Sequence, residues 1–201
     1  REIKASTVDV VSWRLFGLRF KNLVIGVEYP ETIPNVEGSD IAWAADNETI
    51  YYILKDTVTL LGFQVWRHKP GTDPSNDILV YEEKDNRFAL SLLRSKSGKY
   101  IALIADINEV STEYLLLRAD KPGASFTVFH PREDGLQYSL QHMGDRFYIL
   151  TNWNAPNFRL MQTSETNTLK TYWTELIPHD DNVYLEQLEV FKNFLVISEM
   201  R

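Results

Sequence analysis

Asn47-Glu48-Thr49-Ile50-Tyr51-Tyr52-Ile53-Leu54 reads as a turn that opens into a strand. Three polar turn formers precede a run of β-branched, aromatic and aliphatic side chains too short to make a helix. The same pattern returns three times. Ser97-Gly98 precedes Lys99-Tyr100-Ile101-Ala102-Leu103-Ile104, Gly144-Asp145 precedes Arg146-Phe147-Tyr148-Ile149-Leu150, and Asn193 precedes Phe194-Leu195-Val196-Ile197. Ile53, Ile101, Ile149 and Ile197 follow one another at steps of 48 residues, and Val80, Val128 and Leu176 keep the same step in a second set of runs. Turn residues Asn47, Gly98, Asp145 and Asn193 step by 51, 47 and 48. A step in the high forties holding about four short strands is the repeat of a β-propeller blade. No segment carries an apolar i, i+3, i+4 stripe through three turns with a cap at each end. Leu185 to Phe194 comes nearest, and Glu186 and Glu189 interrupt it.

The chain therefore reads as all-β, about four blades' worth of propeller. Residues 1–39 hold the later strands of one unit, 40–86, 87–135 and 136–183 are complete units, and 184–201 open another. The inner strand of each blade is the run before the turn: Ser39–Ala44, Phe88–Ser91, Tyr138–Gln141 and Tyr184–Leu188. Inner strands line a central channel, while apolar residues on alternate faces pack blade on blade. Two closures fit this count. The first and last units combine into one blade of a four-bladed ring, or the chain is an arc of a larger ring. An arc leaves apolar blade faces uncovered, which predicts self-association. A sandwich or barrel with coincidental spacing is the alternative architecture.

Composition narrows the chemistry. The 201 residues carry 21 Lys plus Arg against 28 Asp plus Glu, a formal net charge of −7, which disfavours a polyanion such as nucleic acid as partner. Cysteine is absent, which removes disulfides, thiolate metal sites, iron–sulfur clusters and cysteine nucleophiles. No run approaches the roughly 18 apolar residues of a membrane-spanning helix. The chain begins at Arg1 without a signal segment and ends in a strand-like run, which reads as a processed chain or a cut-out piece. The expected compartment is the cytoplasm, with the periplasm as the alternative.

Gly-x-Ser-x-Gly, phosphate-binding glycine loops and His-Glu-x-x-His are missing, and no cofactor or metal is expected. His68, His130, His142 and His179 fall at comparable or neighbouring places in the repeat, His130 and His179 just after the outer strand pair, which suits structural roles. His130-Pro131-Arg132-Glu133-Asp134 and Pro178-His179-Asp180-Asp181 read as capped turns, and Trp43 and Trp153 as blade packing. Charged residues on inner strands are the functional candidates. Asp40, Glu186 and Glu189 could reach the channel or one mouth, where negative potential would favour cationic peptides.

A specific likeness adds to this reading. Gln64-Val65-Trp66-Arg67-His68, Gly71-Thr72-Asp73-Pro74 and Val80-Tyr81-Glu82-Glu83 are followed in order by Phe129-His130-Pro131-Arg132-Glu133 and Gly144-Asp145-Arg146-Phe147-Tyr148-Ile149-Leu150-Thr151-Asn152. Asn157-Phe158-Arg159-Leu160 and Glu175-Leu176-Ile177-Pro178-His179 complete the series. From about Asp9 onward these blocks resemble the oligopeptidase B (protease II) group of the prolyl oligopeptidase family of serine peptidases. Ser12-Trp13-Arg14 stands where that family tends to be arginine-rich. The resemblance implies a seven-bladed propeller beside an α/β-hydrolase domain that supplies a Ser-Asp-His triad. It implies a propeller that admits only short peptides, and cleavage after Arg or Lys. It selects the open arc, or a rearranged fragment, over a four-bladed ring. No catalytic residue carries over to this chain, which alone should hydrolyse nothing. The implied partners are short basic peptides and the protein's own hydrolase domain. The alternative functions are a propeller that binds peptides or proteins without catalysis, and a glycosidase with paired carboxylates on facing inner strands.

Overall fold

A computed structural model describes residues 2–9, 14–107 and 110–201, so Ser12 and Trp13 lie outside the described residues. It contains four antiparallel sheets among those residues, each a meander in chain order. The first has six strands: β1 (Ile3–Val8), β2 (Phe16–Asn22), β3 (Glu28–Trp43), β4 (Ile50–Lys55), β5 (Gly62–His68) and β6 (Ile78–Glu82). The second holds β7 (Ala89–Arg94), β8 (Tyr100–Ile107), β9 (Ser111–Arg118) and β10 (Thr127–Val128). The third holds β11 (Tyr138–Met143), β12 (Arg146–Thr151), β13 (Arg159–Ser164) and β14 (Thr174–Ile177). The fourth is the hairpin β15 (Tyr184–Val190) and β16 (Leu195–Met200). The sheets do not close on themselves, so the chain is part of a propeller. No helix among the described residues is long and apolar enough to cross a membrane.

The sheets stack face to face through separate cores. Tyr51, Ile53 and Val65 meet Leu90, Ile101 and Leu103 between the first and second sheets. Tyr100, Tyr114 and Phe129 meet Tyr138, Phe147 and Trp173 between the second and third, and Leu150 and Leu160 meet Leu185 and Leu188 between the third and fourth. Strands β4, β8 and β12 are thus buried on both faces. In β4, Tyr51 and Ile53 face forward while Ile50 and Tyr52 face the opposite core. That is why these strands read as unbroken apolar runs rather than as alternating patterns.

This burial corrects the first step of the 48-residue alignment, while Ile101, Ile149 and Ile197 keep one facing. Ile53 and Ile101 belong to one core, projecting from facing sheets, so they are not equivalent positions. Tyr52, Ile101 and Ile149 face backward along the stack, at steps of 49 and 48, and Ile53, Ala102 and Leu150 face forward. Side chains alternate with a period of two, so a slip of one residue reverses the face. The hairpin pairs Trp43↔Ile50, Arg94↔Ile101, Met143↔Arg146 and Val190↔Leu195 instead track the turn residues.

Strand β3 runs through residue 39, where the repeat places a unit boundary. Its first part pairs with β2 and its second with β4, and Val36 is paired on both sides, to Phe16 and Leu54. The register shifts between Val36 and Ile41. There a Cβ on Gly38 would stand 2.9 Å from the Phe16 ring, so glycine permits the close approach at this bend. The two halves of the sheet then fold over Leu18, Phe20, Ile33, Trp43 and Tyr52.

Alternating strand direction sorts the connections. Turns from first to second strand, and from third to fourth, fall at one end of each sheet. Turns from second to third strand, and the links between sheets, fall at the other. Backbone bonds join neighbouring sheets at both ends: Ala45 N–H to Ala119 O (2.7 Å) at the first, Thr112 N–H to Leu136 O (2.9 Å) and Leu185 N–H to Asn157 O (3.0 Å) at the second.

Candidate functional site

The innermost strands are the end of β3, then β7, β11 and β15. Asp40, half-buried on β3, accepts a hydrogen bond from the Leu92 N–H of β7 at 3.0 Å. Burial pushes its carboxyl above the ordinary carboxylate range. The Leu92 bond offsets part of this, nearby Glu37 adds to it, and Lys55 opposes it. Asp40 therefore links two sheets. Glu189 on β15 is ion-paired to Lys96 in the β7–β8 turn and accepts from Gln187 Nε2 at 3.1 Å. Glu186 is exposed and sits where the β15–β16 register shifts between Leu185 and Gln187. Of the three acidic candidates, only Glu189 is ion-paired among the described residues, and Glu186 also has no hydrogen bond there. Asp40 and Glu186 lie toward the second end of the stack and Glu189 toward the first, so the three do not form one cluster.

Other charged groups bridge the sheets. Arg132 Nη2 donates to Glu83 (2.7 Å) and Glu113 (2.8 Å), and its guanidinium lies 3.5 Å from the centre of the Phe88 ring. Burial works against ionisation of Glu83, but Arg132, the Asp85 N–H and the Tyr81 hydroxyl outweigh it and hold the carboxyl below its ordinary value. His142 is buried between Ser97 Oγ on Nδ1 (2.7 Å) and Glu165 on Nε2 (2.6 Å). Burial pushes this imidazole down, against the pull of Glu165. The connectivity resembles a serine–base–carboxylate relay. Here, however, Glu165 is also ion-paired to Lys99, and Ser97 Oγ also takes up the Lys99 N–H and Ser95 Oγ, so the groups serve to join the second sheet to the third.

The remaining histidines are likewise built in. His68 Nδ1 meets Asp77 at 2.6 Å and its ring stacks on Phe20, while His130 Nε2 meets Glu133 at 2.8 Å. His179 lies 3.7 Å from Asp181. Trp43 packs in the core of the first sheet, and Trp153 against Trp173 beside Lys170.

Two cavities open beside the inner strands. At the first end, about 460 Å³ is lined by Lys96, His142, Met143, Val190, Phe191 and Lys192. At the second end, about 620 Å³ is lined by Gln137, Asn152, Asn154, Pro156, Phe158 and Tyr184. Sequence reasoning passed over both, because each draws on segments dozens of residues apart. The one local signal was Asn152-Trp153-Asn154-Ala155-Pro156-Asn157, a dense turn sequence that periodicity treats as a connection.

Residues 5–201 match the N-terminal β-propeller domain of prolyl oligopeptidase. The chain is 38% identical over 192 residues to dipeptidyl aminopeptidase BI of Pseudoxanthomonas mexicana, covering 95% of this chain and 26% of that protein. It is 30% identical to protease 2 of Moraxella lacunata, covering 91% and 26% respectively. The structure of oligopeptidase B from Leishmania major superposes with a TM-score of 0.91 at 26% identity, covering all of this chain and 28% of that one. The chain thus spans about a quarter of the length of the relatives it matches.

Proposed function

The chain belongs to the prolyl oligopeptidase family, within its N-terminal β-propeller domain, and from this we propose that it is the substrate-screening part of a serine peptidase that cleaves short peptides after Arg or Lys. The observation that carries the reading is the domain match over residues 5–201, together with a stack of sheets whose faces are filled by continuous cores. Such a wall is rigid on the scale of a side chain. A peptidase screened by it excludes folded proteins by size, and the catalytic groups come from the rest of a longer chain. Exposed Glu186 adds attraction for cationic peptides at the channel. Asp40 and Glu189 act mainly as links between sheets.

The test uses the full-length protein, arginine-containing peptides of rising length and a folded protein of the same composition. Cleavage C-terminal to Arg or Lys, blocked by a serine-directed phosphofluoridate and falling with length, is the expected result. Equal cleavage of the folded protein ends the screening role. Glu186→Gln should lower kcat/KM for basic peptides, more at low salt than at high.

The similarity to dipeptidyl aminopeptidase BI supports a second reading, an exopeptidase that removes dipeptides from a free N-terminus. N-acetylated peptides separate the two, because only an endopeptidase still cleaves them.

A further inference from the structure

The β12–β13 turn is held more firmly than a connection requires. Asn152 Nδ2 donates to Gly135 O (2.9 Å), and its Oδ1 accepts the Gln137 N–H (2.9 Å). Asn157 Nδ2 donates to Asp180 O (3.2 Å) and Asp181 O (2.9 Å), while its carbonyl accepts the Leu185 N–H. The turn is thereby pinned to the links on either side of the third sheet. Between these anchors Asn154 has φ 48° and just beyond them Phe158 has φ 64°. Asparagine tolerates the left-handed region, whereas an aromatic residue there is strained. Such strain persists only where the surroundings over-determine the backbone, and it concentrates at ligand clamps.

What the turn presents is chemically specific. Gln137 and Asn154 border the 620 Å³ cavity, and their side-chain amides have no hydrogen-bond partner among the described residues. Phe158 and Tyr184 pack edge to face in its wall, centroids 5.6 Å apart, with Tyr184 39% exposed. No charged residue lines the cavity. Each amide offers a donor and an acceptor in one plane, which is what a peptide unit also presents. The aromatic pair offers area to a side chain at little entropic cost.

We propose that this cavity holds an extended segment of a peptide substrate, with Gln137 and Asn154 pairing its main chain and Phe158 and Tyr184 receiving an apolar or aromatic side chain. The inference rests on the peptidase reading above and adds to it a binding element carried by this chain.

The test is made in the full-length protein with Asn154→Gly, which removes the amide but tolerates the same backbone, and with Gln137→Met. The probes are an alanine octapeptide carrying one phenylalanine and one arginine, and a short arginyl anilide. Each variant should lower the octapeptide-to-anilide ratio of kcat/KM about fivefold, through KM, as expected for one hydrogen bond lost. A ratio within twofold of wild type for both variants overturns the proposal. So does an equal loss on both probes with a lowered melting temperature, which is a folding defect. Should wild type cleave neither probe, the peptidase reading fails by itself. Octapeptide binding by calorimetry then decides the site: affinity weakened in both variants supports it, and unchanged or absent binding overturns it.

Discussion

Replacing Arg132 by methionine removes the one cation among the described residues that is ion-paired to Glu83 and Glu113, while keeping an unbranched side chain over Phe88. The two carboxylates contact the same guanidinium nitrogen, at 2.7 and 2.8 Å, so they confront each other across it. Their side chains are 7% and 11% exposed, and that of Arg132 is 25% exposed. Breaking a buried ion pair by deleting one partner costs about 3–5 kcal/mol. The partial exposure of Arg132 places this case at the lower end, about 3 kcal/mol. The assay is urea unfolding of the full-length protein, followed by tryptophan fluorescence at several pH values. In wild type Glu83 is held below its ordinary pKa, so its contribution is present above the unfolded value of about 4.3 and is lost as pH falls. In the variant burial is opposed only by the Asp85 N–H and the Tyr81 hydroxyl, so the carboxyl rises and the variant loses less stability than wild type as pH falls. The gap between the two proteins must therefore narrow on acidification. A difference below about 1 kcal/mol at pH 7, the range of an exposed pair, refutes the reasoning, as does a gap that stays constant from pH 7 to 4.

Ile53→Ala and Ile101→Ala should each cost about 2–5 kcal/mol. Because they share one core, a double-mutant cycle should show coupling of at least about 0.5 kcal/mol, whereas additive values would return them to equivalent, separated positions. Gly62→Ala places a Cβ 2.6 Å from Ile53 Cγ2, beneath a fully buried side chain; a loss of about 1–3 kcal/mol is expected, and a neutral melting temperature contradicts the packing described. His142 has its pKa lowered by burial, so its stabilising contribution is present above the unfolded value of about 6.5 and is lost as pH falls. His142→Gln should flatten the acid limb of melting temperature against pH, and an unchanged limb excludes His142 as its source.

The hairpins were legible because a turn announces itself within a few residues. Asn47, Gly98, Asp145 and Asn193 mark the bends that β4, β8, β12 and β16 follow. The isoleucine spacing found the right strands and the shared facing of Ile101, Ile149 and Ile197, but it put Ile53 on the wrong face. Apolar runs buried on both sides look alike in either register, and only contact with Leu90 or Tyr114 tells the faces apart. The continuity of β3 was hidden for another reason: the repeat sets a unit boundary after residue 39, yet the strand carries Pro30, Pro34 and Gly38 and bends at its register shift rather than ending. The charge bridges could not be read at all. Arg132 lies 49 residues from Glu83, and His142 lies 45 residues from Ser97 and 23 from Glu165. Among the acidic candidates, sequence placed each on or beside an inner strand but could not show that Lys96 and the Leu92 N–H already engage two of them.

The shared strand β3 also fixes where the stack can part. Its two halves belong to one ladder of backbone hydrogen bonds, so separating the first two layers means tearing that ladder or unbending the strand at Gly38. The later layers meet through side chains and a few loop bonds, and they can slide or peel while every ladder stays whole. Under load, the assembly therefore has its weak seams after β6, after β10 and after β14, and a welded joint at its N-terminal side. A molecule prised open to let something pass would hinge along one of those three seams and carry the first six strands as a single plate.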